Sequence, residues 1–381
     1  MDWRIPLADI DLGPQEMDAV LEVLRSRWLT MGSLTRQFEQ EFAEYCNVKH
    51  AIAVTNATAA LHLACLAVGL GPGDEVILPS LTFVASANSV RYTGAHPVFA
   101  DIESEAWLNI SPESIEARLT DRTRAIMVMH YGGYACNMPA IQDIAKKHGL
   151  AVIEDAAHAI GSRLDGRMLG TWGQVGCYSF FSNKNMTTGE GGMLVTDDDA
   201  LAEQLGLLRS HGMTSLTWDR HRGHAWSYDV VALGYNYRID EIRAALGRVQ
   251  LQKLDGNNAR RREVTCTYRQ TLAQLVPDVG LPFARGQGTS ACHLFPILLP
   301  EGCNRLRFME AMKSQGIQTS IHYPPIHLFS AYQSDQPTGS LEITELVARR
   351  EVTLPLYPAL TDRDISAVTQ AVQHALQEAS Q

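Results

Sequence analysis

The sequence predicts an α/β protein with a mostly parallel sheet covered by helices on both faces, and three observations carry that expectation. Short apolar runs at 51–54, 75–78, 97–101, 125–130 and 151–155 have the length of buried strands. Segments with helical spacing fall between them, so strand and helix alternate from about residue 50 to residue 200. The composition is that of an ordinary globular chain: 381 residues, 45% of them hydrophobic, leave ample material for a large core. That length suits a large domain over residues 1–250 and a smaller α+β domain over 251–381.

Taken in order, Gly13-Pro14 opens a helix, because proline suits the first turn, and Met17, Val20, Leu21 and Leu24 then recur at helical spacing. Trp28-Leu29-Thr30-Met31-Gly32 breaks it, and Phe38 and Phe42 mark a second amphipathic helix. The strand at 51–54 leads through Thr55-Asn56-Ala57-Thr58 into a helix over 59–68. A strand, a polar turn and a helix N-terminus make an anion site, since unpaired N–H groups and the helix dipole point at it. Asn56 or Thr58 acting only as a helix cap is the alternative. The strand at 75–78 ends at Pro79-Ser80-Leu81-Thr82-Phe83, and residues 139–147 carry Ile141, Ile144 and Ala145 at helical spacing. Asp197-Asp198-Asp199 has the look of a metal cluster but is better read as acids at the N-terminus of a helix over 200–208. Residues 218–226, with Asp219, Arg220, His221, Arg222 and His224, form a polar and aromatic loop suited to a lid or a dimer contact. A long helix from about 240 to beyond 251 continues as a charged helix over 257–275. In the smaller domain, strands are expected at 292–299 and 317–323, and helices at 305–315 and 362–376.

Composition also excludes some roles. A formal charge of −10 with no concentrated basic run and no helix-turn-helix segment argues against nucleic-acid binding. The seven cysteines are scattered and form no Cys-x-x-Cys pair, which points to reduced thiols and a cytoplasmic location. No apolar signal segment follows Met1-Asp2-Trp3-Arg4. The most apolar window, 51–70, is interrupted by Thr55, Asn56, Thr58 and His62, so no membrane span is expected.

The chemistry concentrates between residues 152 and 196. Val152-Ile153-Glu154-Asp155 is an apolar run that ends in a carboxylate, and ligands of α/β proteins sit outside the carboxyl ends of strands. A second apolar run, Tyr178-Ser179-Phe180-Phe181, delivers Lys184 into a loop closed by Gly189, Gly191 and Gly192, where glycine permits close backbone approach. A lone lysine and a lone acid at strand ends meet the minimum of a pyridoxal phosphate site: a Schiff-base amine and a partner for the pyridinium nitrogen.

Read together, Glu154-Asp155-Ala156-Ala157-His158, Ser179-Phe180-Phe181, Lys184-Asn185 and Thr187-Thr188-Gly189-Glu190-Gly191-Gly192 resemble the signature of the DegT/DnrJ/EryC1/StrS sugar aminotransferases. The resemblance runs from about Ile5 to the last helix. It implies the aspartate-aminotransferase-like fold type I with a seven-stranded sheet, and pyridoxal 5'-phosphate as cofactor. It makes Lys184 the Schiff-base lysine and Asp155 the acid that keeps the pyridine nitrogen protonated, its own pKa depressed by that cation. It places Thr58 and the Ala59 N–H at the phosphate with Ser179, Phe83 against the ring, and His158 near the phenolic oxygen. Asn236, in Gly234-Tyr235-Asn236-Tyr237-Arg238, would reach the phosphate of a second subunit, which implies a homodimer. His322, Tyr323 and His327 would lie on the substrate side. The implied reaction moves an amino group from L-glutamate to a keto-sugar, most often nucleotide-linked. A keto-cyclitol acceptor such as scyllo-inosose, or a non-catalytic regulator that merely holds the cofactor, are the alternatives. Sugar 3-dehydratases of this family carry histidine at the position of Lys184.

Overall fold

The computed structural model describes residues 3–214, 227–335 and 339–379. The loop expected at 218–226 lies outside them. Strands β1 (His50–Val54), β2 (Glu75–Pro79), β3 (His96–Ala100), β4 (Ile102–Ser104), β5 (Trp107–Ile110), β6 (Thr123–Met129) and β7 (Ala151–Asp155) follow in chain order. After them come β8 (Arg163–Leu164), β9 (Arg167–Met168), β10 (Val175–Ser179) and β11 (Gly192–Thr196). Seven build the central sheet in the order β1-β11-β10-β7-β6-β2-β3, while β4–β5 and β8–β9 form small hairpins beside it. Pairing is parallel from β10 through to β3, and only β11 runs against its neighbours. The expected mostly parallel, seven-stranded sheet is therefore present.

Side-chain alternation explains why both faces are covered. Along β6, Ile126 and Val128 join Phe38, Phe42, Val152 and Phe180 on one face. Ala125 and Met127 join Leu61, Ile153, Cys177 and Leu194 on the other. A strand period of two sends neighbouring residues to opposite faces, so a strand apolar at every position demands cover on both. The helix Ala57–Ala67 supplies much of the second layer. It is buried nearly all round, as its lack of a polar face requires.

The smaller unit is built on β12 (Phe295–Leu298) paired antiparallel with β13 (Glu351–Leu354). Helices Arg305–Ser314, Glu342–Arg350 and Asp362–Ala379 pack around this pair. Three observations bear on the expectations here. First, the expected domain boundary at 250/251 falls inside one unbroken helix, Glu241–Leu275, started by Asp240, whose Oδ1 accepts the Arg243 N–H at 2.9 Å. Gly256 within it is tolerable, because a single glycine costs only about 1 kcal/mol against alanine and the buried face from Ala244 to Leu272 holds the helix. Second, the N-terminal segment belongs with the C-terminal unit: the Ile5 N–H donates to Gly316 O, and the Gln318 and Leu356 N–H groups donate to Ile5 O and Leu7 O. Third, 317–323 is not a strand but makes single bridges, Ile5 with Ile317 and Ser320 with Thr353. Side chains take the place of a ladder there: Gln318 Oε1 accepts the Leu7 N–H and the Glu351 carboxylate accepts the His322 N–H.

The acidic triplet is structural. Asp198 Oδ1 accepts the Ala200 and Leu201 N–H groups and starts the helix Asp199–Arg209. All seven cysteines are free thiols. Among the described residues, no helix is long and apolar enough to cross a membrane.

Candidate active site

A cavity of about 480 Å³ opens at the carboxyl ends of the parallel strands. This is where a mostly parallel sheet presents ligands, because the chain leaves the sheet there and its loops diverge. β7 ends at Asp155, β10 ends at Ser179, and the loop between β10 and β11 carries Lys184, so three separate stretches of chain bring one residue each to the same cavity wall. Thr58, Phe83, His158, His322 and Tyr323 line it as well. The structure thus brings together most of the residues that the sequence singled out.

Asp155 is buried and held by two donors. Ser86 Oγ–H donates to Oδ2 at 2.7 Å and the Ala157 N–H donates to Oδ1 at 3.1 Å. Thr82 Oγ1 lies 2.9 Å from Ser86 Oγ; since the Ser86 proton goes to the carboxylate, Thr82 is the donor in that pair. The sequence expectation was a depressed Asp155. Burial instead raises its pKa, while Ser86, the Ala157 N–H and Lys184 pull it back. The reason is that the cation invoked to depress it is the cofactor's own; with protein groups alone, desolvation dominates.

Lys184 shows the converse. Burial lowers its pKa to about 8 against an opposing pull from Asp155. An ordinary lysine near 10.4 is almost wholly cationic at neutral pH, whereas one near 8 leaves roughly a tenth of its amine neutral and nucleophilic at pH 7.

His158 takes a defined tautomer. The Gly132 N–H donates to Nδ1 at 3.3 Å, so the ring proton sits on Nε2, 3.1 Å from the Tyr323 hydroxyl oxygen. Burial first, and the nearby Lys184 and His322 next, hold His158 well below its ordinary pKa, so it is neutral. Tyr323 then accepts from His158 and keeps its own O–H to donate into the cavity. Phe83 is half exposed and its ring centre lies 5.9 Å from that of Tyr323, leaving an open aromatic wall. His322 Nδ1 lies 2.8 Å from Thr353 Oγ1, and burial with Lys184 nearby lowers its pKa to about 4.

Asn56 caps the helix Ala57–Ala67, its Oδ1 accepting the Ala59 N–H at 2.8 Å. The N–H assigned to a phosphate from the sequence is therefore already engaged, and the helix start lines the cavity through Asn56, Ala57 and Thr58 instead. Gly192 at the start of β11 makes this close approach possible, since a Cβ there would lie 2.6 Å from the Asn56 carbonyl carbon.

Besides Ala59, two expected residues lie outside this cavity, of which Asn236 was expected at the site of a second subunit. His327 is buried, with Nδ1 2.7 Å from Ser80 Oγ and Nε2 3.5 Å from Glu345, and it ties the C-terminal unit to the end of β2. Asn236 is exposed and bridges to Ser210 away from the cavity. Ser86, Asn185, Asn258 and His293 take part in the polar framework around the site but were given no role from sequence. Asn185 was visible in the Lys184-Asn185 motif; His293 was hidden in an apolar run read as a strand from residue 292.

A mostly parallel sheet covered on both faces, with a lysine and a buried carboxylate meeting at its carboxyl end, defines an α/β enzyme of the aspartate aminotransferase type. Comparison with known proteins narrows this. The model of the DegT/DnrJ/EryC1/StrS aminotransferase family matches residues 11–373. The chain is 42% identical over 380 residues to the spore coat polysaccharide biosynthesis protein SpsC of Bacillus subtilis, covering 98% of this chain and 96% of SpsC. Among solved structures, it is similar to the aminotransferase PseC of Helicobacter pylori, involved in biosynthesis of pseudoaminic acid. That pair has a TM-score of 0.91 and 31% identity over 98% of this chain and 99% of PseC. It is also similar to the PLP-form of Spr1654 from Streptococcus pneumoniae, with a TM-score of 0.90 and 26% identity over 98% and 99% of the two chains. The chain belongs to the DegT/DnrJ/EryC1/StrS aminotransferase family, a family of pyridoxal phosphate-dependent sugar aminotransferases.

Proposed function

We propose that the cavity binds pyridoxal 5'-phosphate and uses it to move an amino group from L-glutamate to a keto-sugar, in its most specific form a nucleotide-linked keto-deoxysugar. The observation that carries this reading is the meeting of Lys184 and Asp155 in one cavity, each with its proton affinity shifted by burial. The names of SpsC and PseC, which concern polysaccharide and pseudoaminic acid biosynthesis, support a sugar acceptor. The PLP-form of Spr1654 supports the cofactor.

The residues present fit such a group. A buried carboxylate held by two donors but lacking a full countercharge suits a protonated pyridine nitrogen. The half-exposed Phe83 offers a flat face, and Thr58 with Ser179 stand at a helix start and a strand end suited to a phosphate. When bound, the cofactor supplies an electron sink for the carbanion that transamination requires. Lys184 would supply the amine that holds the cofactor, and that amine would carry the proton to and from the substrate carbon. Asp155 holds the ring-nitrogen proton in place. His158 holds the Tyr323 hydroxyl in the cavity wall and leaves Tyr323 to donate its proton toward bound substrate. Asn236, exposed in one chain, is proposed to reach the cofactor phosphate of a second copy, so that the active unit is a homodimer.

A screen of dTDP-, UDP- and GDP-linked keto-sugars and scyllo-inosose, reading glutamate consumption, tests the acceptor. Turnover only with a linked keto-sugar supports the reading, and turnover only with scyllo-inosose replaces it with the cyclitol alternative. A visible cofactor band that glutamate never bleaches would refute catalysis altogether.

A further inference from the structure

The loop that carries Lys184 is tied to a line of buried amides that ends on an imidazole. Asn258, on the helix Glu241–Leu275, donates from Nδ2 to the Ile160 carbonyl at 3.0 Å. Its Oδ1 is thereby left to accept, and Asn185 Nδ2 donates to it at 2.7 Å and to the Ala291 carbonyl at 2.8 Å. With both nitrogen protons of Asn185 committed, its Oδ1 is an acceptor, 2.9 Å from His293 Nδ1. An amide oxygen accepts only, so the proton of His293 sits on Nδ1 and Nε2 carries a lone pair. Lys184 Nζ lies 3.5 Å from that Nε2. Asn185, Asn258 and His293 are all buried, so water does not compete for these bonds. Gly161 is part of the arrangement: a Cβ at that position would lie 2.4 Å from Asn258 Nδ2, and its φ of +84° suits glycine.

We propose that His293 is a positioning residue for Lys184: its Nε2 accepts a hydrogen bond from the lysine amine and holds that amine in register with Asp155 and the cavity, and the Asn185–Asn258–Ile160 line fixes the tautomer that makes this possible. The inference rests on the reading of Lys184 as the cofactor-binding amine. It gives a physical reason for Asn185, which directly follows the lysine and sets the polarity of the group behind it. His293 does not serve as the base. Burial first, then His158 and Lys184, hold it far below its ordinary pKa, so the proton stays on the lysine until solvent or substrate removes it. The groups facing Lys184 are Asp155, His158, His293 and His322; of these only Asp155 is an acid, and the three histidines have lowered pKa values.

The test needs neither substrate nor turnover. In apoprotein labelled with 15N-histidine, long-range proton–nitrogen correlation identifies the tautomer of His293, assigned by its loss in His293→Gln. A proton on Nδ1 is expected, and a proton on Nε2 overturns the proposal. The pH dependence of Lys184 labelling in apoprotein by an amine-reactive reagent, read by peptide mass spectrometry, gives the second measurement. Its midpoint should lie near 8 in the wild type. It should fall by about one unit in His293→Leu, because a cation loses its acceptor, and return most of the way in His293→Gln, whose amide oxygen can accept. An unchanged midpoint in His293→Leu overturns the proposal, and the tautomer measurement on wild-type protein decides the matter if that variant does not fold. If the protein bound no pyridoxal phosphate at all, the proposed function would fail while both apoprotein measurements would still judge His293.

Discussion

Removing the Ser86 hydroxyl tests the electrostatics of the site without touching either of its charged groups. Ser86 is the shorter of the two donors to Asp155, at 2.7 Å against 3.1 Å for the Ala157 N–H. Burial already raises the Asp155 pKa, and the Ser86 bond is foremost among the groups that restrain it. A hydrogen bond to a charged group contributes about 1.5–3 kcal/mol, so Ser86→Ala should raise the carboxyl by about one to two further pH units. Thr82 would lose its acceptor as well, adding a smaller cost. The anionic acid is the form that binds a protonated pyridine nitrogen. Apoenzyme affinity for pyridoxal phosphate should therefore fall, by up to about 10- to 100-fold, at pH values below the shifted pKa and recover as pH rises through it. Equilibrium titration of apoenzyme with pyridoxal phosphate, followed by the visible absorbance at several pH values, reads this directly. Thermal unfolding of the apoenzyme checks that the variant is folded. An affinity equal to wild type at every pH would refute the assignment of Asp155 as the ring-nitrogen partner.

Three more outcomes follow. Lys184→Ala should abolish glutamate consumption while leaving the fold intact by circular dichroism, since a buried amine whose cationic form is disfavoured stabilises the fold little and residual pyridoxal phosphate is held only by the remaining cavity wall. His327→Phe should destabilise the protein by about 1–3 kcal/mol in urea titration through loss of the Ser80 contact, with KM for the acceptor unchanged, because His327 lies outside the cavity. Glu351 is fully buried and its pKa is raised by burial to about 8 from an ordinary 4.5. The folded protein thus binds the extra proton between these values, and stability is lost as pH rises through that window. The loss between ~pH 6 and ~pH 8 is on the order of 2 kcal/mol, and urea titrations at the two values should show it vanish in Glu351→Gln.

How much of this was legible in the sequence depends on the range of the interaction involved. Strands at 51–54, 75–78 and 151–155 were placed to within a residue, because continuous apolar runs bounded by turn residues leave few other options. Lys184 and Asp155 were legible as a pair because each sits at the end of its own apolar run. The expected strand at 317–323 failed because its periodicity was satisfied by side-chain acceptors on Gln318 and Glu351, whose positions are fixed by residues far away in the chain. The region around residue 250 shows the same limit: Asp240 announces a helix start, and Asp255-Gly256-Asn257-Asn258 reads locally as a stop, yet the buried face from Ala244 to Leu272 carries the helix through it. His327 was expected on the substrate side because the stretch from Ile321 to His327 resembles a family loop there, and only the three-dimensional fold reveals Ser80 as its partner.

The polar groups around the cavity share one property that local sequence cannot show: their protonation states are set before any ligand arrives. Thr82 and Ser86 leave Asp155 only acceptor positions, Gly132 forces the His158 proton onto Nε2, and Asn185 forces the His293 proton onto Nδ1. Each assignment follows from counting donors, and each uses a partner at least four positions away in the chain. A buried polar group left without such a partner would cost about 1–3 kcal/mol, so these lines of hydrogen bonds offset the penalty of placing so much polarity in a dry site. They also remove alternatives: an imidazole with one tautomer and a carboxylate with fixed donors cannot reorganise when charge shifts in the cavity. That rigidity is what electrostatic catalysis needs, and it explains why the lysine and the acid can be buried deeply enough to move their proton affinities while the framework around them stays folded.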